Sequence, residues 1–263
     1  MPSTKSEPFF SLISVTFNDL VGMRRTEASI RAQTERDFEW VVVDGASKDG
    51  TVDFLRTLDL PYLQWTSERD KGIFDAMNKG TARARGKYVV YLNGGDAFSD
   101  AECLTDVRRA LEQAGWPELC YGGGNWAFAD GHRKYRAPRP MARAIRHGLP
   151  GLHQATFYRR EFLDVPPYDL KYPVSADYYI SARCYARGAR ACYVDRALAD
   201  FGVGGNSMKK AAASLREAWD IQRDVLKLGW PARALSASRR YVAHRVLEGL
   251  HYFLHPQKKQ ATK

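Results

Sequence analysis

Three apolar runs, each followed by polar residues, dominate the first hundred residues. They are FFSLISVTF at 9–17, FEWVVV at 38–43 and KYVVYL at 87–92, and they are followed by Asn18, by Asp44 and by a turn that ends at Asp96. Runs this rich in β-branched and aromatic residues predict strands buried on both faces. Helical patterns separate them, which predicts right-handed βαβ units and a parallel sheet. Ligands of such sheets bind beyond the carboxyl ends of the strands, where these polar residues fall.

The chain of 263 residues is long enough for one large α/β domain with an appendage. We predict a Rossmann-like, mostly parallel sheet with helices on both faces over residues 9–100. A mixed region of strands and helices is expected over 101–206, which completes a domain spanning 1–206. Strands are expected in this region near 119–121 and 126–129, and the run Gly122–Gly124 between them indicates a local loop or bulge. Residues 207–263 are predicted to form a basic amphipathic helical extension.

Positive charge is concentrated in this C-terminal extension. The whole chain carries a formal net charge of +10, and residues 208–263, with twelve Lys and Arg against four Asp and Glu, contribute +8 of it. Two apolar-striped helices are expected, at 207–228 and 232–254. They fit docking on an anionic bilayer, although basic helices also often cover a protein core.

The first eight residues are polar and lack the features of a signal peptide, and no apolar run is long enough to span a membrane. A cytoplasmic protein, peripheral at the inner face of the membrane, is therefore expected. Four widely separated cysteines form no pattern typical of a disulfide framework or a zinc site.

Two carboxylates follow predicted strands and have alternative interpretations. Asp44 could accept hydrogen bonds from a base or ribose, or it could belong to an ordinary Asp-Gly turn. Asp96, which ends the sequence LNGGD, could hold a hard cation that bridges a diphosphate, or it could cap the next helix.

Five segments in order are similar to the family 2 glycosyltransferases of GT-A fold. They are SVTFN, VVVDGASKDGT, SERDKGIFDAMNKG, GKYVVYLNGGD and SADYY. Each is weak alone, but their order is specific, and the likeness covers about residues 9–205. It resembles most the bacterial enzymes that build surface polysaccharides of the colanic-acid or O-antigen kind.

This resemblance implies a GT-A fold, in which 9–100 bind the nucleotide and 101–206 shape the acceptor side. It also implies an inverting hexosyltransferase with a nucleotide-sugar donor, for which UDP-sugar is the expectation, and a divalent cation, Mn²⁺ or Mg²⁺. The acceptor would be a hydroxyl of a saccharide, which we expect to be lipid-linked.

The resemblance also assigns roles to residues. The nucleotide would be contacted by Thr16, Phe17, Asn18, Asp44, Asp70, Lys71, Asn93, Gly94 and Gly95. Asn93 and Asp96 occupy the position of the family's DxD motif. This chain departs from that pattern because Asp96 is its only carboxylate, which leaves the metal one ligand short.

Two further residues would act from the acceptor side. Asp177, within SADYY at the start of a predicted helix, matches the family's catalytic base, although an acid there also suits the helix dipole. His153, which opens a predicted strand, could reach the metal or the diphosphate, or it could be a structural histidine with a backbone partner.

Two other function classes are disfavoured by the sequence. A dinucleotide-dependent oxidoreductase would have GxGxxG after the first strand, where this chain has Thr16-Phe17-Asn18-Asp19-Leu20. A non-enzymatic nucleotide-binding or nucleic-acid-binding protein could use the basic extension. That charge lies apart from the predicted site, so we expect no nucleic-acid partner.

Overall fold

The computed structural model describes residues 7–127, 132–202 and 211–254, with side chains except at 211 and 243–254. The expected end of the second strand of the mixed region, at 128–129, and the first residues of the extension, 207–210, lie outside these ranges.

The first hundred residues alternate between strands and helices, as predicted. They contain β1 (Phe10–Thr16), α1 (Leu20–Arg31), β2 (Phe38–Asp44), α2 (Thr51–Thr57), β3 (Leu63–Ser67), α3 (Ile73–Arg83) and β4 (Tyr88–Tyr91). These strands pair in the order β3-β2-β1-β4, and all three pairings are parallel. The carboxyl ends of β1, β2 and β4 therefore lie side by side.

The second half continues the same sheet with mixed pairing. It contains β5 (Ala97–Phe98), α4 (Cys103–Gln113), β6 (Leu119–Ala127), β7 (Arg133–Arg136), α5 (Met141–Ala144), β8 (Thr156–Arg159), α6 (Ala176–Ala186) and β9 (Ala191–Gly202). The sheet order is β3-β2-β1-β4-β8-β6-β9-β5, with β7 paired to β6. β8 is antiparallel to both β4 and β6, whereas β6 and β9 are parallel.

Strand β6 is continuous, so the expectation of two short strands separated by glycines is wrong. The run Gly122–Gly124 lies within the strand, where the pairing with β9 shifts register, and the predicted bulge is present. A Cβ at Gly122 would lie 2.4 Å from Cδ1 of Leu198, and one at Gly124 would lie 2.2 Å from Cδ1 of Leu152. Glycine is needed because neighbouring side chains pack directly on the strand backbone.

Apolar side chains lie on both faces of the sheet. On one face, Ile13 and Val43 belong to a core shared with Met77 of α3 and with residues of α6. On the other, Leu12 and Val42 belong to a core shared with α1, α2 and α4. The prediction of helices on both faces is confirmed.

Two helices end the described chain, α7 (Ala211–Asp224) and α8 (Trp230–Leu254). Helix α7 packs on the same face as α6 and buries Ala218 and Ile221 in the core. Ser236 of α8 is fully buried and accepts a hydrogen bond from Nε2 of Gln222 at 2.8 Å. Within the described ranges no helix is both long and apolar enough to cross a membrane.

Candidate active site

The ends of β1, β2 and β4 bring three sequence segments together. Asp44 pairs with Thr16 on one side and with Ser67 on the other. The N–H of Gly94, just after β4, donates to the carbonyl of Val15 at 3.0 Å. A Cβ at Gly94 would lie 3.0 Å from Oγ1 of Thr16, so the turn after β4 lies directly against this residue.

Asp44 is fully buried and keeps one free acceptor atom. Its Oδ2 accepts hydrogen bonds from the Ser47 N–H at 2.9 Å and the Ser67 hydroxyl at 2.6 Å. Its Oδ1 has no partner among the described residues, and the same holds for Thr16 Oγ1 and Asn93 Oδ1. Buried polar atoms are usually paired with protein or ordered water, so these three atoms, at the carboxyl ends of adjacent strands, are available as partners for a polar ligand.

An exposed aromatic ring and a second carboxylate lie beside this edge. Phe17 is 64% exposed, which leaves its ring free to contact a ligand. A Cβ at Gly45 would lie 2.8 Å from Oδ2 of Asp70 and 3.2 Å from Cδ2 of Phe17. Asp70 and Phe17 therefore lie close together over the backbone next to Asp44, so three of the residues that we predict to contact a nucleotide are neighbours.

Asn18 and Lys71 lie at the rim of the same edge. Asn18 has a positive φ of 49°. Its Oδ1 accepts from the Lys48 N–H at 2.8 Å, and its own N–H donates to Ser47 Oγ at 2.7 Å. Its side chain thus fixes the loop after β2. Lys71 is exposed, and its N–H donates to Oδ2 of Asp75 at 3.0 Å, at the start of α3.

Helix α1 fixes the turn that contains Asp96. The Thr26 hydroxyl donates to the Asp96 carbonyl at 2.7 Å and accepts from the Gly95 N–H at 3.1 Å. Gly95 has φ of 90°, a conformation that favours glycine. The two glycines of the sequence LNGGD thus allow a tight turn that carries Asp96 back against the protein.

Asp96 is a buried carboxylate with little compensating charge. Burial raises its pKa to about 7, although Gln154, Arg25 and the N–H of Gly202 act in the opposite direction. A bound cation would stabilise its charged form. Among the described residues no group of three or more His, Cys, Asp or Glu is placed to hold a metal. This chain can offer Asp96 and the unpaired Asn93 Oδ1, and a diphosphate would have to supply most other ligands.

His153 lies in an aromatic cluster at the same edge of the sheet. It begins a 3-10 helix, His153–Ala155, so the expectation that it opens a strand is wrong. Its ring stacks on Tyr91 with centroids 5.4 Å apart, and its Nε2 is 2.9 Å from the Tyr168 hydroxyl. Burial lowers its pKa to about 4, so the ring is neutral at pH 7. Its Nδ1 has no partner among the described residues and is the atom left to bind a metal or phosphate.

Asp177 lies in the first turn of α6, where the sequence predicted a helix to begin. Its Oδ1 accepts from the Tyr178 N–H at 2.7 Å. Burial raises its pKa to about 6, and the charge of Arg240 opposes this shift. Burial raises the pKa of Tyr168, and the negative charge of Asp177 raises it further. Tyr168 is hydrogen-bonded to His153, so Asp177 acts electrostatically on a residue that is connected to the end of β4.

The start of α6 is fixed by Glu217 of α7, a residue to which the sequence had given no role. Its Oε2 accepts from the N–H groups of Val174 at 3.0 Å and Ser175 at 2.7 Å. Ser67, Gln154 and Arg240 are likewise unexpected neighbours of the predicted residues. Ser67 opens the segment SERDKGIFDAMNKG but had no assigned role, and no local pattern marks Gln154 or Arg240.

Comparisons with known proteins find similar sequences over most of the chain. The sequence profile of glycosyl transferase family 2 matches residues 11–163. An uncharacterized glycosyltransferase of Mycobacterium tuberculosis is 30% identical over 254 residues, which cover 94% of this chain and 93% of that protein. A PGL/p-HBAD biosynthesis glycosyltransferase of Mycobacterium bovis is 31% identical over 194 residues, which cover 69% and 72%.

Two solved structures show the same architecture. S. aureus TarS 1-349 in complex with UDP has a TM-score of 0.65 at 16% identity, covering 88% of this chain and 70% of that one. Mannosyltransferase PcManGT from Pyrobaculum calidifontis, in complex with GDP-Man and Mn²⁺, has a TM-score of 0.63 at 15% identity, covering 95% and 81%. These likenesses confirm the predicted GT-A fold.

Proposed function

Because the chain belongs to glycosyl transferase family 2, we propose that it is an inverting hexosyltransferase that uses a UDP-sugar. The acceptor is a hydroxyl of a saccharide that is lipid-linked and destined for the cell surface. The observation that carries this proposal is a set of unpaired buried atoms at the carboxyl ends of β1, β2 and β4. They belong to Thr16, Asp44 and Asn93.

In this proposal the nucleotide lies along the ends of β1, β2 and β4. The base stacks on the exposed ring of Phe17 and donates to Oδ1 of Asp44. Asp70 and Lys71 approach from the loop before α3 and contact the nucleotide or its phosphates. Support comes from the related folds, since TarS was solved with UDP and with UDP-GlcNAc.

A divalent cation fits the turn after β4. Asp96 would hold it, with Asn93 Oδ1 and His153 Nδ1 as further donors, and it would supply charge neutralisation for a diphosphate. The buried carboxylate with its raised pKa is the observation that favours this role. Hard oxygen donors suit Mg²⁺ and Mn²⁺.

In the proposed transfer Asp177 is the general base. Its carboxylate takes the proton of the acceptor hydroxyl while that oxygen attacks the anomeric carbon. The bond from that carbon to the donor phosphate breaks on the opposite side, and its electron pair leaves with UDP. One substitution at the carbon inverts its configuration, through a transition state that resembles an oxocarbenium ion.

Asp44→Asn tests the nucleotide site. The amide offers an N–H in place of one carboxylate oxygen, so a donor on the base loses its acceptor. A hydrogen bond to a charged group contributes about 1.5–3 kcal/mol, and we expect UDP affinity to fall by at least about tenfold. Calorimetric titration with UDP measures this loss, and thermal shift with UDP, GDP and ADP reports base preference.

The control for this experiment is Asp59→Asn, which removes an exposed carboxylate from the loop after α2. It should bind UDP as the unchanged protein does. The proposed donor site would be contradicted if the Asp44 variant bound UDP as tightly as the unchanged protein. It would also be contradicted if no nucleotide raised the melting temperature of the unchanged protein or of either variant.

We also propose that α8 docks on an anionic membrane at its cytoplasmic face. Four large apolar residues of this helix are exposed, namely Trp230, Leu235, Tyr241 and Val242 at 67%, 56%, 57% and 59%. The opposite face packs on α7 through Ser236 and Arg240. One face of α8 thus covers the protein, and the other is free to enter an interface beside a lipid-linked acceptor.

Replacing both Trp230 and Tyr241 by Ser tests the membrane proposal without deleting buried residues of α7. The two side chains are eleven residues apart and share one stripe of the helix. Since each aromatic side chain contributes about 1.5–3 kcal/mol when fully buried, binding to phosphatidylglycerol vesicles should weaken by roughly tenfold or more. Val165→Ser, at a 74% exposed site in another segment, is the control. Undiminished sedimentation of the double variant with vesicles would refute the docking.

A further inference from the structure

Three arginines from two distant segments, residues 136–139 and helix α8, converge on the short loop 147–149. Nη2 of Arg136 donates to the carbonyl of Leu149 at 3.1 Å, and Nη2 of Arg139 approaches the same oxygen at 3.5 Å. Arg240 of α8 donates to the carbonyl of His147 at 3.3 Å and to the Ser214 hydroxyl at 3.1 Å. A Cβ at Gly148 would lie 3.6 Å from Nη1 of Arg240, so this guanidinium also lies close to the loop backbone.

The charges of these arginines are not neutralised by direct ion pairs. Over the ranges that the structure describes, none of the three has a carboxylate oxygen within 4.0 Å. Burial lowers the pKa of both Arg136 and Arg240, and Asp177 is a carboxylate that acts on both. By contrast, the buried carboxylate of Asp200 lies 3.1 Å from Nη2 of Arg133.

The surrounding surface is positive as well. The pKa of His147 is lowered by burial and then by the charges of Arg239, Arg139 and Arg146. The hydrogen bonds found for Arg136 and Arg240 go to neutral acceptors and use only some of the five N–H donors that a guanidinium carries. Two desolvated guanidiniums with spare donors are suited to bind an anion, and phosphate geometry matches them.

We propose that Arg136 and Arg240, with Arg139 at the rim, form an anion subsite that receives a phosphate or diphosphate group of the acceptor beside Asp177. This rests on the proposed function, since Asp177 defines the acceptor side. The donor nucleotide is assigned to the other end of the site, around Asp44 and Asp96. An acceptor anchored by its phosphate would present its hydroxyl to the base in a fixed orientation.

The test is calorimetric titration of the full-length protein, first saturated with UDP, with three phosphate probes. Inorganic phosphate, glucose 1-phosphate and citronellyl phosphate distinguish a free anion, a soluble sugar phosphate and a lipid phosphate. We expect at least one probe to bind without displacing UDP, and Arg136→Gln and Arg240→Gln each to weaken it by at least about tenfold. The probe that binds most tightly identifies the source of the phosphate.

Arg143→Gln is the matched control, because it removes the same charge at an exposed position of α5. It should keep probe affinity within about twofold. Melting temperatures of the variants show whether each is folded, and a second pair, Arg136→Lys and Arg240→Lys, should recover part of the affinity. Equal probe binding in the unchanged protein and both Gln variants, or displacement of the probe by UDP, would overturn the proposal.

Failure of the subsite can be separated from failure of the transferase proposal. Asp177→Asn removes a negative charge near the arginines, so it should bind the probe at least as tightly while it loses sugar transfer. Probe binding that survives in a protein with no affinity for UDP would refute the donor site and leave the subsite standing.

Discussion

Asp177→Asn should lower kcat for sugar transfer by about 10³, because a positioned general base contributes roughly 10²–10⁴ to such a rate. The substitution keeps size and shape and removes only the ability to take a proton. UDP affinity should stay within a few-fold, since Asp177 is assigned to the acceptor side. Release of UDP in the presence of acceptor measures turnover, and calorimetry measures nucleotide binding.

The pH dependence of the unchanged protein provides an internal check on this result. Burial raises the pKa of Asp177 to about 6, and only the deprotonated form can act as base. The rate should therefore rise with pH through about 6 and level off above about 7. At saturating UDP-sugar and Mn²⁺, where protonation of Asp96 does not limit the rate, the residual activity of the Asn variant should lose this rise. Turnover unchanged by Asp177→Asn would remove this residue from the mechanism.

Asp96→Asn should abolish most of the gain in UDP affinity that Mn²⁺ provides, a loss of at least about tenfold. The amide keeps the hydrogen-bonding shape but loses the charge that a hard cation requires. Affinity for UDP without metal should change little. Because the pKa of Asp96 is raised to about 7, Mn²⁺ must compete with a proton. Mn²⁺-dependent binding should thus be weaker at pH 6 than at pH 8.

The comparison for this second result is Asp100→Asn, four residues along the chain. Asp100 is paired with Arg196 and has no assigned role in metal binding. Its variant should keep the full Mn²⁺ effect on UDP affinity. An Asp96 variant that responds to Mn²⁺ as strongly as the unchanged protein would place the cation elsewhere or make it unnecessary.

The first half of the fold could be predicted because its pattern is local. Apolar runs such as 38–43 identify buried strands, and the rule that ligands lie at their carboxyl ends places Asp44 and Asp96 at the same edge of the sheet. The continuous strand β6 was missed because its glycines look like a loop. Glycine is present at these positions because Leu152 and Leu198 pack against the strand backbone. Both leucines come from distant segments, so no local pattern reveals the contact.

The same difference between local and distant contacts applies to the site. Asp96 and Asp177 are assigned from the segments LNGGD and SADYY through the family resemblance. Their environments were not predictable, since Gln154 approaches Asp96 from a 3-10 helix and Arg240 acts on Asp177 from α8. The C-terminal helices are expected to face either a membrane or the protein core. In the structure α7 packs on the core and α8 packs on α7.

A crystal structure of the protein with UDP and Mn²⁺ tests the central claim most directly, because anomalous scattering locates the metal independently of the nucleotide. We expect the uracil ring against Phe17 with a hydrogen bond to Asp44, and a manganese peak beside Asp96 and the diphosphate. The open side of the diphosphate should face Asp177. A nucleotide bound away from the ends of β1, β2 and β4, or a diphosphate that faces away from Asp177, would contradict the account.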